Sequence, residues 1–242
     1  MQAAWLTQKG TRNSENQDSV FLDPQIGLFV VADGLGGHRG GAIASSIAVN
    51  TISAVYRSDP VQYEDSFTLE SKVMQSLVAA NAAIRNVALE KQGIDNMAST
   101  VVMAALQGKN AIITNVGDSR AYAVMGNHLT KASHDHSAVA ELIDNHLLPA
   151  DQDRAHPFRN FVTRSLGVSS MVEPFIFRTP VAGLSSLLLC TDGLWSVLSD
   201  AEIERILLSV ESVSTRCFRL VKTAVAHGAA DDVTCILVDL TS

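Results

Sequence analysis

Residues 27–45 read GLFVVADGLGGHRGGAIAS. Gly27–Ala32 is an apolar run short enough to be a buried strand. Asp33 ends the run, a glycine-rich turn follows, and Ile43, Ile47, Ile52 and Val55 then recur at helical intervals. A second helical pattern comes next, through Leu69, Val73, Leu77, Ala80, Ile84 and Ala88. Two helices in succession break the strand–helix alternation of a parallel doubly wound sheet. On the N-terminal side, strands are expected near Trp5 and over Ser19–Leu22, separated by the polar turn GTRNSENQD. On the C-terminal side, Thr100–Leu106, Ala111–Val116 and Arg120–Met125 read as strands. Blocks of strands around a helix pair predict an α+β fold, with antiparallel sheets covered by helix pairs.

Further along, a short helix is expected over about Ser137–His146. Residues Leu147–Asn160 carry Pro149 and Pro157 and show no period, and a loop of that length inside a compact domain is usually functional. Ser186–Cys190 reads as a strand. Ser199 with Glu202 three residues on has capping-box spacing and opens a helix. A last helix, about Ser214–Ala226, ends at Gly228, and Val233–Leu240 is the final strand.

At 242 residues and 47% hydrophobic, the chain can bury a sizeable core without demanding two domains, so 1–242 is expected to form one. The net charge of −7 and the lack of a basic stripe exclude nucleic acid as a partner. An anionic substrate would therefore need a local attractor, such as a bound cation. Cys190, Cys217 and Cys235 have no CxxC spacing, and two of them lie in apolar runs, which suits buried core thiols in a reducing compartment. No signal-like N-terminus is present, and no run approaches the roughly 18 apolar residues of a membrane span. No membrane partner and a cytoplasmic location are expected.

Aspartates interrupt or end the apolar runs: Asp33 after LFVVA, Asp118 within AIITNVGDSRAYAVM, Asp192 after SLLLCT, and Asp231–Asp232 before VTCILV. Asp18 follows the polar turn. A single aspartate at a strand end has an ordinary structural reading, because its side chain bonds nearby backbone amides. Several at strand ends of one fold would converge, and crowded carboxylates need a neutraliser. The ligand set is all oxygen, which suits magnesium, manganese or calcium rather than zinc. Two such ions sharing a carboxylate activate water for in-line displacement at phosphorus. The segment DGLGGHRGG lacks both the GK[ST] ending of a P-loop and the GxGxxG register. Its Gly34 carbonyl is a candidate ligand for a hard cation. The SHDHS segment, Ser133–Ser137, forms no familiar closed metal site and reads as structural or substrate-proximal.

The ordered motifs resemble the protein phosphatase 2C family, the metal-dependent PPM phosphatases, and most of all their compact bacterial members. They are ENQDS (15–19), VVADGLGGHRGGAIAS (30–45), MASTVVMAAL (97–106), NVGDSRAY (115–122), LTKASHDHS (129–137), NFVTRSLG (160–167), LLLCTDGLWSVLSDAEI (187–203) and GAADDVTCILV (228–238). The resemblance implies a central antiparallel β-sandwich flanked by helix pairs, with metals in a channel at one edge. It implies hydrolysis of phosphoserine and phosphothreonine in proteins, opposite a partner serine/threonine kinase, by a monomer. By position, Asp33 resembles the carboxylate bridging two Mn2+ or Mg2+ ions, Gly34 the carbonyl ligand, and Asp192 and Asp231 further ligands. Asp118 resembles the ligand of a third, weaker metal, and Asp18 the residue that orders metal-bound water. Residues of about 144–164 would form a short flap, with Arg154, His156 and Arg159 as substrate contacts.

Four positions depart from the family pattern. The phosphate-clamping arginine is expected five residues before Asp18, where Asn13 stands; Arg12 takes the role if one residue bulges, its fork suiting phosphate. Gln17 replaces a common glutamate. Leu35 stands where animal members carry a histidine proposed as general acid. Asp232 stands where asparagine is usual. Two other readings stay open at this point: a catalytically silent phosphoprotein binder, and a two-metal hydrolase of small phosphoesters.

Overall fold

From Leu28 to Ala32 the chain is extended and fully buried. Leu28, Val30 and Ala32 join one apolar cluster, while Phe29 and Val31 join another. A strand with no solvent face needs a packed layer on each side, and that requirement sets the architecture. The computed structural model describes residues 1–36, 39–58, 66–90, 96–149, 152–153 and 156–241. The elements begin with β1 (Gln2–Gln8), β2 (Asp18–Asp23), β3 (Leu28–Leu35), α1 (Arg39–Ser58) and α2 (Ser66–Glu90). They continue with β4 (Ala98–Ser99), β5 (Val101–Gln107), β6 (Asn110–Val116), β7 (Arg120–Met125), β8 (His128–Lys131) and α3 (Ala138–Asp144). The last are β9 (Phe175–Pro180), β10 (Leu184–Cys190), α4 (Asp192–Trp195), α5 (Asp200–Leu207), α6 (Val213–Ala226) and β11 (Val233–Asp239).

One sheet has the order β2-β3-β5-β6-β9, with β4 paired to β3; the other runs β1-β11-β10-β7-β8. Their strand pairs are antiparallel. Phe29, Val31, Leu187, Leu189 and Ile236 fill the space between the sheets. Ala48 and Ile52 of α1, with Leu69, Val73 and Leu77 of α2, close the outer face of the first sheet. Ile203 of α5 and Leu220 and Val221 of α6 close the second. The expected α+β class, a sandwich between helix pairs, is what the chain adopts.

Most expected elements lie within a few residues of the observed ones, and the Ser199–Glu202 capping box is formed in both directions. Gly228 follows α6 with φ +86°, the left-handed backbone that glycine adopts without strain. The strands β8 and β9 and the one-turn α4 carry no clear sequence signal. Both strands are sheet edges, where one side stays wet and apolar alternation is weak. Among the described residues, no helix is long and apolar enough to cross a membrane.

Candidate active site

Strand register gathers the aspartates at one end of the sandwich. Asp18 stands opposite Asp33 across β2 and β3. Cys190 pairs with Cys235 on one side and Arg120 on the other, so Asp192, Asp231 and Asp118 all flank this one end of β10, β11 and β7. Thr100 ties the sheets together there. Its N–H donates to the Asp33 carbonyl (2.8 Å), its Oγ1 accepts from the Asp33 N–H (3.1 Å), and it bonds Ser119 Oγ (2.7 Å).

Two glycines permit the close approach. A Cβ at Gly34 would lie 2.0 Å from the Gly41 carbonyl oxygen, and one at Gly193 would lie 2.1 Å from the Asp232 carbonyl oxygen. Neither position tolerates a side chain without moving backbone. The first closes β3 onto the start of α1, and the second draws Asp192 towards Asp231.

The result is a cleft of about 210 Å³, lined by Arg12, Asn13, Gln17, Asp33, Gly34, Leu35, Gly36, Asp118, Asn160, Val162, Asp192 and Asp231. Burial, followed by the charges of Asp18, Asp192, Asp118 and Asp231, raises the Asp33 carboxyl well above its ordinary range. Asp118 is raised likewise, by burial first and then by Asp192 and Asp135. Asp192 is pushed up to about 6 by burial and then by Asp231, with Arg12 and Arg159 opposing. Asp18 is raised by burial, while its bonds to Thr234 and Thr191 oppose the rise. These shifts share one physical origin: several negative groups held together away from water.

Hydrogen bonding separates the carboxylates into two kinds. Asp231 is satisfied by protein, with one oxygen accepting from Arg12 and the other from the Asp232 N–H (3.0 Å). Asp232 holds the N-terminal loop, its oxygens accepting from Gly10 N (2.8 Å) and Gln17 N (2.7 Å). By contrast, the buried Oδ1 atoms of Asp18 and Asp192 have no hydrogen-bond partner. An orphaned buried carboxylate oxygen is costly, and two beside a cleft of raised carboxyls fit a cation-binding surface. The all-oxygen donor set fits hard divalent ions. Among the described residues, no three such groups close tightly enough to form a ready-made cage, so the carboxylates make a shared wall.

Arg12 lines the cleft, and so does Asn13 beside it. Asp18 does not line it; it sits behind, its Oδ2 accepting from Thr191 Oγ1 (2.9 Å). Arg159 lines an adjoining depression with Arg120, Asp135, Asp153 and Trp195. His156 bonds locally, its Nδ1 accepting from Phe158 N (3.2 Å), and is not among the cleft residues. Arg154 lies outside the described residues.

Some supporting groups lie within the motifs, but the sequence assigns them no specific role. The buried Arg120 forks onto Asp135 (2.6–3.1 Å), reaches Asp153 (3.0 Å), and stacks 3.5 Å from the Trp195 ring centroid. Trp195 Nε1 in turn donates to the Asp118 carbonyl (2.9 Å). His136 Nδ1 accepts from the Gly117 N–H (3.2 Å), fixing the turn that carries Asp118. The SHDHS segment therefore has a supporting structural part. An arginine opening an apolar strand run, as in RAYAVM, is a feature that could have marked Arg120: a charge placed in a strand core needs partners.

A family model described as protein phosphatase 2C matches residues 7–228. The serine/threonine phosphatase Stp of Listeria welshimeri is 32% identical over 243 residues, covering 99% of this chain and 96% of its own length. The crystal structure of serine/threonine phosphatase Stp1 from Staphylococcus aureus superposes with a TM-score of 0.90 at 27% identity, covering 99% of this chain and 95% of that one. A catalytic domain of the phosphatase PstP, solved with two manganese ions, superposes at 0.86 with 25% identity, covering 98% and 97% of the two chains. By sequence and by fold, the chain belongs to the protein phosphatase 2C family.

Proposed function

We propose that this serine/threonine protein phosphatase hydrolyses phosphoserine and phosphothreonine in proteins with the aid of divalent cations, Mn2+ or Mg2+. Asp33, the Gly34 carbonyl, Asp192 and Asp231 would hold two ions, and Asp118 a third. The observation that carries the reading is the convergence of buried, mutually repelling carboxylates on one cleft, with orphaned oxygens on Asp18 and Asp192. When bound, such ions supply a nucleophilic water and neutralise charge on the phosphoryl oxygens.

The chain's own residues do the rest. Arg12 offers a planar fork for the phosphoryl oxygens, and its contact with Asp231 holds it at the mouth of the cleft. Arg159 adds positive charge near Asp192. Asp18 stands behind the cleft, oriented by Thr191, and its unpartnered Oδ1 would order water held by the ions. No described residue lining the cleft carries an imidazole, amine, phenol or thiol. The whole chain acts as one phosphatase domain, with residues of about 144–164 as a flap beside the cleft. It works as a monomer opposite a serine/threonine kinase, and its three free buried thiols suit the cytoplasm.

The test is manganese-dependent hydrolysis of a phosphothreonine peptide by the wild type and by Asp33→Asn. Losing the central carboxylate is expected to lower turnover at least about 100-fold. Turnover near that of the wild type would contradict the reading.

A further inference from the structure

A second depression, of about 390 Å³, opens beside the cleft, lined among others by Val116, Val162, Arg164, Val168, Met171 and Val172. Val162 lines both spaces, so the two adjoin across this one side chain. Two of the depression's lining side chains are large, apolar and set out in the open, Val168 at 67% and Met171 at 68% exposed, and Phe161, next to Val162 in the chain, is 64% exposed. Such a concentration beside a reaction site marks a contact surface rather than scattered surface residues.

The wall of this trough is anchored from beneath. The buried Asn81 of α2 bonds it twice, donating to the Ser169 carbonyl (2.9 Å) and accepting from the Gly167 N–H (2.7 Å). Arg85 donates to the Val168 carbonyl (2.7 Å). Leu166 and Ser99 exchange backbone hydrogen bonds of 2.8 and 3.0 Å. Val168 and Met171 are thus exposed on a braced segment, and a preformed surface loses little entropy when it is covered.

We propose that this trough docks the polypeptide that flanks the phosphorylated residue and receives an apolar side chain of the substrate protein. The inference rests on the protein-phosphatase reading of the cleft. A chain that delivers its phosphoryl group into a space of about 210 Å³ must continue past the rim. Residues of an extended chain follow at about 3.3 Å intervals, so a near neighbour falls across the shared Val162 wall. Val116 and Val172 offer it an apolar floor. Arg164, whose nearest carboxylate among the described residues is Glu173 at a loose 3.7 Å, offers a cation to the substrate backbone or an acidic neighbour.

The experiment measures kcat/KM with manganese for three substrates: a phosphothreonine peptide with leucines beside the phosphorylated residue, the same peptide with glycines there, and p-nitrophenyl phosphate. The proteins are the wild type and two separate surface variants, Met171→Glu and Val168→Glu. Each variant is expected to lose about tenfold on the leucine peptide, through KM, and to stay within about twofold on the other two substrates. Equal losses on all three substrates, or no loss on the leucine peptide, would overturn the proposal. So would a dimer in sedimentation that both variants dissociate while peptide kinetics stay unchanged, because a second copy would then be the occupant. A wild type inactive on every substrate would sink the phosphatase reading itself, and this proposal with it.

Discussion

Asp192 and Asp231 share a cleft but differ in their bonding. Asp231 has its oxygens engaged by Arg12 and the Asp232 N–H, whereas Asp192 keeps one buried oxygen without a partner. The identity of these residues was legible in the sequence, because a carboxylate ending an apolar run is conspicuous. Their bonding was not, since it depends on groups the fold brings in from far along the chain, such as Arg12 on Asp231. His136 makes the same point. SHDHS showed two histidines near an aspartate, but only the fold shows His136 Nδ1 accepting from Gly117 N–H. Burial, then Arg164 and His134, lower its pKa from 6.5 to about 4, against the pull of Asp135. Between those values the unfolded chain takes up the proton first, so this residue favours the fold above pH 6.5 and withdraws that support as pH falls towards about 4. Urea unfolding of wild type and His136→Asn over pH 4–8 should show the wild type losing stability relative to the variant across that window. Parallel curves would refute the assignment. Asp192, pushed up to about 6, titrates in the same range with opposite sign, but it is common to both proteins and cancels in the difference.

Among the elements, the helices were the more legible. The periods over residues 43–55 and 69–88 gave α1 and α2, and the Ser199–Glu202 spacing gave the start of α5. That box is formed: Ser199 Oγ accepts from the Glu202 N–H (3.3 Å), and the Glu202 carboxylate accepts from the Ser199 N–H (2.9 Å). Ser199→Ala is expected to cost about 1 kcal/mol in denaturant unfolding and to leave phosphatase turnover unchanged. An unchanged midpoint would mean that the box contributes nothing, and a loss of turnover would tie α5 to the cleft. The edge strands β8 and β9 escaped notice for a physical reason. His128–Lys131 is four residues long with both ends exposed, and Phe175–Pro180 carries an arginine paired with Glu70. An edge strand buries too little to impose a clean period. Helix α4 is a single turn after Thr191, too short to leave any.

At the scale of the molecule, the two sheets end together where their aspartates meet, and Thr100 with Ser119 links them. The fold thereby holds negative charge that it does not neutralise itself, and bound cations would relieve the repulsion. This makes apo and metal-loaded stability move in opposite directions when a carboxylate is removed. The most direct test is thermal unfolding of wild type and Asp192→Asn, first in chelator and then in saturating Mn2+. In chelator the variant should be the more stable by on the order of 1–3 kcal/mol, because a raised buried carboxylate is gone. In Mn2+ the order should reverse, because only the wild type gains the full binding free energy. A wild type that gains nothing from the metal, or a variant that gains as much, would contradict the account.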